Sequence, residues 1–508
     1  MLKKVLIANR GEIAVRIMRT CRDMGITSVA VYSEADAMSL HARYADEAYC
    51  IGPAPASESY LNAAKIIETA KACGAEAIHP GYGFLSEQAE FSRACAAAGI
   101  KFIGPSPETV RLLGDKVQAR LIANAAGAPS VPGSEDRVSP EEALELAPQI
   151  GFPLLIKAAA GGGGKGIRLV EDASTLEESL RTAAAEAMAS FGDEGLYLER
   201  FLDPVRHIEV QVLADEHGHL VHLGERECSI QRRSQKLVEE SPSTAVDAAT
   251  RERLGAAAVA IAREAGYENA GTIEFLMDQD GAFYFIEANA RLQVEHPVTE
   301  LVTGLDLVRE QLRVASGEPL GYTQADVRLR GWAIECRITA EDAAQGFMPG
   351  LGRIDFVSEP SGPGVRVDSS LFAGWEVGPN YDSLISKLIV YGADREQALA
   401  RMRRALDEYQ ILGVKTTLPF HRRLLDDERF IAGEIDTRFL ERSFNFAPEA
   451  PPDDDKALLA AALLSYQRRG DSKAAGGARG GPASRWKQAN RKAAVERAPG
   501  GGPWRSTS

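Results

Sequence analysis

No two of the six cysteines, Cys21, Cys50, Cys73, Cys95, Cys228 and Cys336, are spaced as a CxxC pair. A disulfide framework or a cysteine zinc site is not expected; reduced, packed thiols are. Long apolar runs are also missing. The start, Met1-Leu2-Lys3-Lys4-Val5-Leu6-Ile7-Ala8-Asn9-Arg10, is interrupted by Arg10 and Glu12. It reads as neither a signal peptide nor a spanning helix, and a cytoplasmic location is expected. Positive charge is in deficit, with 58 Lys and Arg against 72 Asp and Glu, a net −14. That argues against a broad nucleic-acid or anionic-membrane surface, so an anionic substrate needs a local basic pocket. The GxxxxGK[ST] phosphate loop is missing too, because the run Gly161-Gly162-Gly163-Gly164-Lys165 continues with Gly166 and no hydroxyl residue.

What is present is an ordinary globular composition, 45% hydrophobic and 26% charged over 508 residues, enough for about three domains. In the first part strands alternate with helices: Val5–Ala8, 11–24, Val29–Tyr32, 58–73, Ala75–Ile78, 86–98 and Ile100–Ile103. Ile13, Ala14, Ile17, Met18 and Cys21 fall on one helical face. This alternation predicts a doubly wound parallel sheet, whose ligands sit beyond the carboxyl ends of the strands. Asn9–Glu12, His79–Gly83 and Gly104–Ser106 lie there.

The middle part opens with a helix near Lys116. Strands are predicted at Leu154–Lys157, Ile167–Val170, Tyr197–Leu202, Ile208–Leu213 and Leu220–Cys228, then an alanine-rich helix over 247–265. Gly271–Asp278 and Ala282–Ala288 form a hairpin through Gln279-Asp280-Gly281. The last folded part, about 331–445, reads as α+β, with strands Trp332–Ile338, Gly352–Phe356 and Leu384–Tyr391 and helices near 395–410 and 418–430. Beyond Phe446 a short helix over 456–469 precedes a glycine-rich basic stretch. That stretch is expected to be a disordered tail, or a docking tail anchored by Trp486 and Trp504.

Glycines let a backbone approach a ligand and point N–H groups at phosphate, so the 161–166 run suits a flap over a nucleotide, as well as a surface hairpin. Lys116 and Lys157 precede it, the latter closing an apolar strand. Glu274, Glu287 and Asn289 lie on the two hairpin strands, where hard oxygen ligands for magnesium would meet. Directly downstream, Arg291 and Gln293 suit a small anion, with Glu295 as a general base. The charged run Arg226, Glu227, Gln231, Arg232, Arg233, Gln235, Lys236, Glu239 and Glu240 fits a solvated face or, beside these elements, an anion site through Lys236.

Together these stretches resemble the biotin carboxylases: Ile-Ala-Asn-Arg-Gly-Glu-Ile-Ala at 7–14, His-Pro-Gly-Tyr-Gly-Phe-Leu-Ser-Glu at 79–87, Gln-Arg-Arg-Ser-Gln-Lys at 231–236 and Glu-Ala-Asn-Ala-Arg-Leu-Gln-Val-Glu-His-Pro at 287–297. Glu-Cys-Arg-Ile at 335–338 and Tyr-Asp-Ser-Leu-Ile-Ser-Lys-Leu at 381–388 extend the resemblance over roughly 1–445. It implies an N-terminal domain (1–115), an ATP-grasp domain (116–320, with a mobile lid at about 131–203), a C-terminal domain (331–445) and a linker and tail (446–508).

The resemblance further implies that ATP and bicarbonate give carboxyphosphate, and that the carbon dioxide released from it is captured by N1′ of carrier-bound biotin. Lys116, Lys157, Gly162, Gly163, Gly164, Glu199, Leu202, His207, Gln231, Lys236, Glu274, Leu276 and Glu287 would contact ATP or its metals. Glu274, Glu287 and Asn289 would hold Mg2+ or Mn2+, two ions in all. Arg291, Gln293 and Val294 would hold bicarbonate, Glu295 would take its proton, and Arg337 would stabilise the biotin enolate, with Lys236 and Tyr82 at the same end. Ser234 stands where the family often has histidine, Ala160 replaces a glycine, and Lys165 replaces an arginine of the flap. With no Met-Lys-Met attachment site in the sequence, a separate biotin carboxyl carrier protein and a carboxyltransferase are the expected partners, and a homodimer is expected. The acyl acceptor stays open between acetyl-CoA, other acyl-CoAs and pyruvate.

Overall fold

Short apolar runs that are buried on both faces become parallel strands. In the computed structural model, which describes residues 1–134, 136–158, 167–444 and 446, the three central strands of the first sheet, Thr27–Ser33, Lys4–Ile7 and Ala77–His79, are of this kind. Val5, Leu6 and Ile7 have no exposed surface. The sheet order is Glu47–Gly52, Thr27–Ser33, Lys4–Ile7, Ala77–His79 and Lys101–Phe102, all parallel. The winding therefore reverses between Lys4–Ile7 and Ala77–His79, and the loops 8–10 and 80–83 leave the strands at that switch point. The helix Gly11–Asp23 buries Ile13, Ala14, Ile17, Met18 and Cys21, as its spacing predicts. Burial of Ile13, Ile17 and Met18 contributes about 1.5–3 kcal/mol each.

A second sheet, of eight strands, runs in the order Phe283–Asn289, Asn269–Met277, Arg206–Ala214, Leu220–Arg232, Gln235–Ser241, Trp332–Thr339, Leu384–Gly392 and Val365–Ser369. The hairpin at 278–282 forms as its Asp-Gly signal predicts, with Gly281 at φ 77°. A separate three-stranded sheet, Ile167–Val170, Leu154–Ala158 and Leu196–Arg200, packs on helices Pro140–Ile150 and Leu176–Phe191. All six cysteines are free thiols.

Several elements differ from the sequence reading. The helix expected over 58–73 begins at Ala63, because the Asn62 side chain accepts from the Lys65 amide at 3.0 Å and caps it. The strand Glu47–Gly52 was not foreseen; it lies at the sheet edge and its side chains are mostly exposed. The strand from Leu220 runs on to Arg232 and turns at Arg233 and Ser234, both with positive φ (49° and 65°), into Gln235–Ser241. The strand expected over 352–356 divides between Gly352–Arg353 and Phe356–Ser358, which pair with different partners. The helix near 418–430 breaks into Leu418–Leu424 and Glu428–Ala432, because Asp427 caps the second. The glycine run 161–166, the helix over 456–469 and the tail with Trp486 and Trp504 lie outside the described residues.

Candidate active site

Strand periodicity places alternate residues on one face. On Arg206–Ala214 that puts His207, Glu209 and Gln211 opposite Ile208, Val210 and Val212, and all six are buried. The register then lines charges up across four neighbouring strands: Glu287 faces Glu274, Glu274 faces Glu209, and Glu209 faces Arg226. Packing acidic groups so closely is costly unless cations sit among them. Two do. Arg226 has no exposed surface and bonds Glu209, with Gln211 at 2.7 Å and Thr272 and Thr299 at 3.0 Å. Lys236 reaches Glu209 at 2.5 Å, Glu295 at 2.7 Å and Glu274 at 3.0 Å.

The protonation states follow from these contacts. Burial alone would lower the Lys236 ammonium, but Glu209, Glu274 and Glu295 outweigh it and hold it well above its ordinary value. Burial would raise the Glu295 carboxyl, yet Lys236, Arg337 and Arg226 hold it well below the usual range. Arg337 donates to Glu239 at 2.6 Å and to Glu295 at 3.0 Å. Burial pushes Glu239 up to about 7, with Arg337 pulling the other way. Desolvation, then the Lys157 charge, lowers the Lys116 ammonium.

The sequence-predicted residues largely share one cavity of about 1010 Å³. Lys116, Lys157, Glu199, His207, Gln231 and Leu276 line it. So do Lys236, Glu274, Glu287, Asn289, Arg291, Gln293, Val294, Arg337 and Tyr82. Lys157 pairs with Glu199 on the neighbouring strand. Arg291 donates to Gln293 at 2.7 Å, Glu87 at 2.8 Å and Asn289 at 2.9 Å. Tyr82 bonds Glu12, and the Asn9 side chain holds the Pro80 and Tyr82 carbonyls at 2.7 Å.

Two expectations differ, and a third is not tested. Leu202 is partly buried but lies outside the cavity lining, because the strand ends at Arg200 and the chain turns away toward cis-Pro204. Glu295 does not face the cavity; it is wholly buried behind Lys236 and Arg337. Gly162, Gly163 and Gly164 lie outside the described residues.

Sequence reasoning missed Glu209, Glu12 and Lys387, and it left Arg226 and Glu239 as an ordinary charged run. The signal was the polar alternation His207, Glu209, Gln211, which reads as a solvated face unless that face closes over a cavity.

Glu274, Glu287 and Asn289 offer hard oxygen atoms, and a cation already rests on Glu274 through Lys236. His207 Nε2 bonds Glu274 at 2.6 Å and Asn289 Nδ2 donates to it at 2.8 Å, so its orientation is fixed. The donor set fits a magnesium ion. Two further groups of ligand atoms, His207–Glu209–Glu274 and Glu209–Cys228–Glu295, each lie within 4.8 Å of one another, but Lys236 already bonds into both.

Comparison with known proteins adds three family matches. "Biotin carboxylase, N-terminal domain" covers residues 1–110, "Carbamoyl-phosphate synthase L chain, ATP binding domain" residues 115–323, and "Biotin carboxylase C-terminal domain" residues 335–442. The chain is 53% identical over 443 residues to biotin carboxylase 1 of Bacillus subtilis, covering 87% of this chain and 98% of that one. It is equally 53% identical over 442 residues to a pyruvate carboxylase subunit of Methanothermobacter thermautotrophicus, covering 87% and 90%. Among solved structures, the biotin carboxylase domain dimer of Hydrogenobacter thermophilus 2-oxoglutarate carboxylase matches with a TM-score of 0.84 and 49% identity, over 87% of this chain and 97% of that one. That dimer was solved with MgADP, ADP and bicarbonate.

Proposed function

The chain belongs to the biotin carboxylase family, and from that premise we propose how its own residues divide the ATP-dependent carboxylation of N1′ of biotin. The observation that carries this reading is the single wall on which Lys236, Glu274, Glu287, Arg291, Gln293 and Arg337 line one cavity. Lys116 and Lys157, on the same lining, take the phosphates, and Glu199, His207, Gln231 and Leu276 surround the nucleotide. Glu274, Glu287 and Asn289 would hold magnesium, which would supply charge neutralisation for the triphosphate. Arg291 and Gln293 hold bicarbonate with the Val294 backbone. Glu295, ionised by its cation partners, is ready to accept the bicarbonate proton once substrate draws Lys236 and Arg337 toward the cavity. The bicarbonate oxygen attacks the terminal phosphorus and ADP leaves. The carboxyphosphate breaks to carbon dioxide and phosphate, the released phosphate takes the N1′ proton, and deprotonated N1′, its enolate oxygen facing Arg337, attacks the carbon dioxide.

The proposed domain limits are 1–115, 116–320, 331–445 and 446–508. A separate biotin carboxyl carrier protein and a carboxyltransferase complete the cycle, and the working unit is a homodimer in the cytoplasm. Among the described residues no helix is long and apolar enough to cross a membrane. The first half-reaction of an acetyl-CoA or other acyl-CoA carboxylase is the preferred setting. Service in a pyruvate carboxylase is the second reading, favoured by the equal identity to the Methanothermobacter thermautotrophicus protein.

The test is ADP release with ATP, magnesium and bicarbonate, with and without free biotin. Biotin-stimulated, bicarbonate-dependent release is expected; release indifferent to both marks another carboxylate ligase instead. Purifying the native complex and identifying its transferase decides the acceptor.

A further inference from the structure

Lys387 lies mid-strand in Leu384–Gly392 and is wholly buried. Lysine is almost never fully buried unless its ammonium has partners. The shortest contact here is not a carboxylate. Nζ donates to the Val294 main-chain oxygen at 2.8 Å, while Glu12 Oε1 is farther, at 3.4 Å. That Glu12 oxygen also takes the Tyr82 hydroxyl. Asp368 stands opposite Lys387 in register, but Arg366 holds both of its oxygens, at 3.0 and 2.7 Å. A lysine placed only to neutralise a buried acid would sit closest to that acid.

The preceding peptide is clamped as well. His296 Nδ1 lies 2.8 Å from the Gln293 carbonyl, which can only accept, so the proton is on Nδ1. Because a peptide group is planar, fixing its oxygen fixes the direction of its N–H. The Gln293 and Val294 carbonyls together set the backbone that carries the Val294 and Glu295 amides and the Glu295 side chain. Lys387 stands on the strand Leu384–Gly392, Glu12 on the first helix, and Val294 between the hairpin and the helix His296–Thr303. One ammonium thus ties distant stretches of the chain at the small-anion end of the cavity.

We propose that Lys387 is a positioning residue: through the Val294 carbonyl it holds the Gln293–Glu295 backbone at the angle at which a bicarbonate ion meets Arg291, Gln293 and Glu295. The inference rests on reading 291–295 as the bicarbonate segment. Lys387 touches no substrate and acts only through that backbone.

The experiment compares full-length wild type, Lys387→Met and Lys387→Gln for bicarbonate-dependent ADP release, with ATP affinity measured separately by titration. Met removes the donor; Gln keeps one without the charge. The expected result is a rise of about tenfold or more in the bicarbonate KM for Lys387→Met, with ATP affinity within about twofold, and recovery of part of that loss by Lys387→Gln. A bicarbonate KM unchanged in Lys387→Met overturns the proposal. So does an equal loss of ATP and bicarbonate affinity, or Met and Gln variants that behave alike. If Lys387→Met does not fold, the Glu12→Gln/Lys387→Met pair removes both buried charges, and the same split between bicarbonate and ATP is read on it. A wild type without bicarbonate-dependent turnover would instead defeat the functional reading itself, so the two failures are distinct.

Discussion

The wall formed by strands Arg206–Ala214, Leu220–Arg232, Gln235–Ser241 and Asn269–Met277, and the small sheet of Leu154–Ala158, Ile167–Val170 and Leu196–Arg200, carry their charges in different ways. At the centre of the wall charges share partners from different strands, as Lys236 does with Glu209, Glu274 and Glu295, and Glu209 with Arg226 and Lys236. On the small sheet Lys157 has one ion-pair partner among the described residues, Glu199, two strands being enough to make the contact. The small sheet also keeps its own apolar core, built from Leu154, Ile156, Val170, Leu196 and Leu198. A group with many partners has its geometry set before substrate arrives, whereas a group with one exchanges it for substrate at low cost. Orientation of the reacting anion thus falls to the wall, and admission of the nucleotide to the small sheet.

Substitutions on the two sides test this division. The largest effect is expected from Glu295→Gln. Biotin carboxylation should fall by about a thousandfold while ATP affinity, measured by titration, stays within about twofold. An equal loss of both would mean the wall also admits nucleotide. Lys236→Met leaves Glu209, Glu274 and Glu295 without their shared cation, and should cost about 3–5 kcal/mol in denaturant unfolding near neutral pH.

Glu12 sharpens the comparison from the edge of the wall. Burial pushes its carboxyl up to about 7 from an ordinary 4.5, with Lys387 opposing. Its folded-state pKa is raised, so its stabilising contribution is complete below pH 4.5 and is lost as the pH rises through 7. Unfolding free energies of Glu12→Gln should therefore fall less than those of wild type between pH 4.5 and 7.5, by at most about 3 kcal/mol. Parallel curves would show that Glu12 is compensated as fully as Glu295. Lys157→Met should raise the ATP KM about tenfold, with kcat within a few-fold and little change in stability. A fall in kcat alone would erase the distinction between the two regions. The smallest effect belongs to deletion of residues 470–508, expected to leave free-biotin turnover unchanged, since every proposed site residue precedes 446.

Much of this was legible in the sequence, for identifiable reasons. The hairpin carrying Glu274 and Glu287 follows from alternation and from Asp280-Gly281, both local signals. Local spacing also placed Arg291, Gln293 and Glu295 together. What it did not reveal is where those side chains end. Glu295 turns behind the wall because Lys236 and Arg337 arrive from strands that are distant in sequence. Glu209 was illegible for a related reason: a strand with one polar face looks the same whether that face meets bulk water or a cavity. The helices Pro140–Ile150 and Leu176–Phe191 were passed over, although Ser139 and Glu142 form a reciprocal cap at the first. The strand Glu47–Gly52 had little apolar pattern to offer, being a mostly exposed edge.

The ladder that joins Val238–Ser241 to Ala333–Cys336 carries a warning for anyone trimming this gene. A fragment stopped at residue 323, where the ATP-binding family match ends, would strip Gln235–Ser241 of its neighbour and bare a row of unsatisfied amides and carbonyls. Such a margin recruits strands from other molecules. The isolated piece should therefore precipitate on expression, while a fragment carried through Phe446 stays in solution.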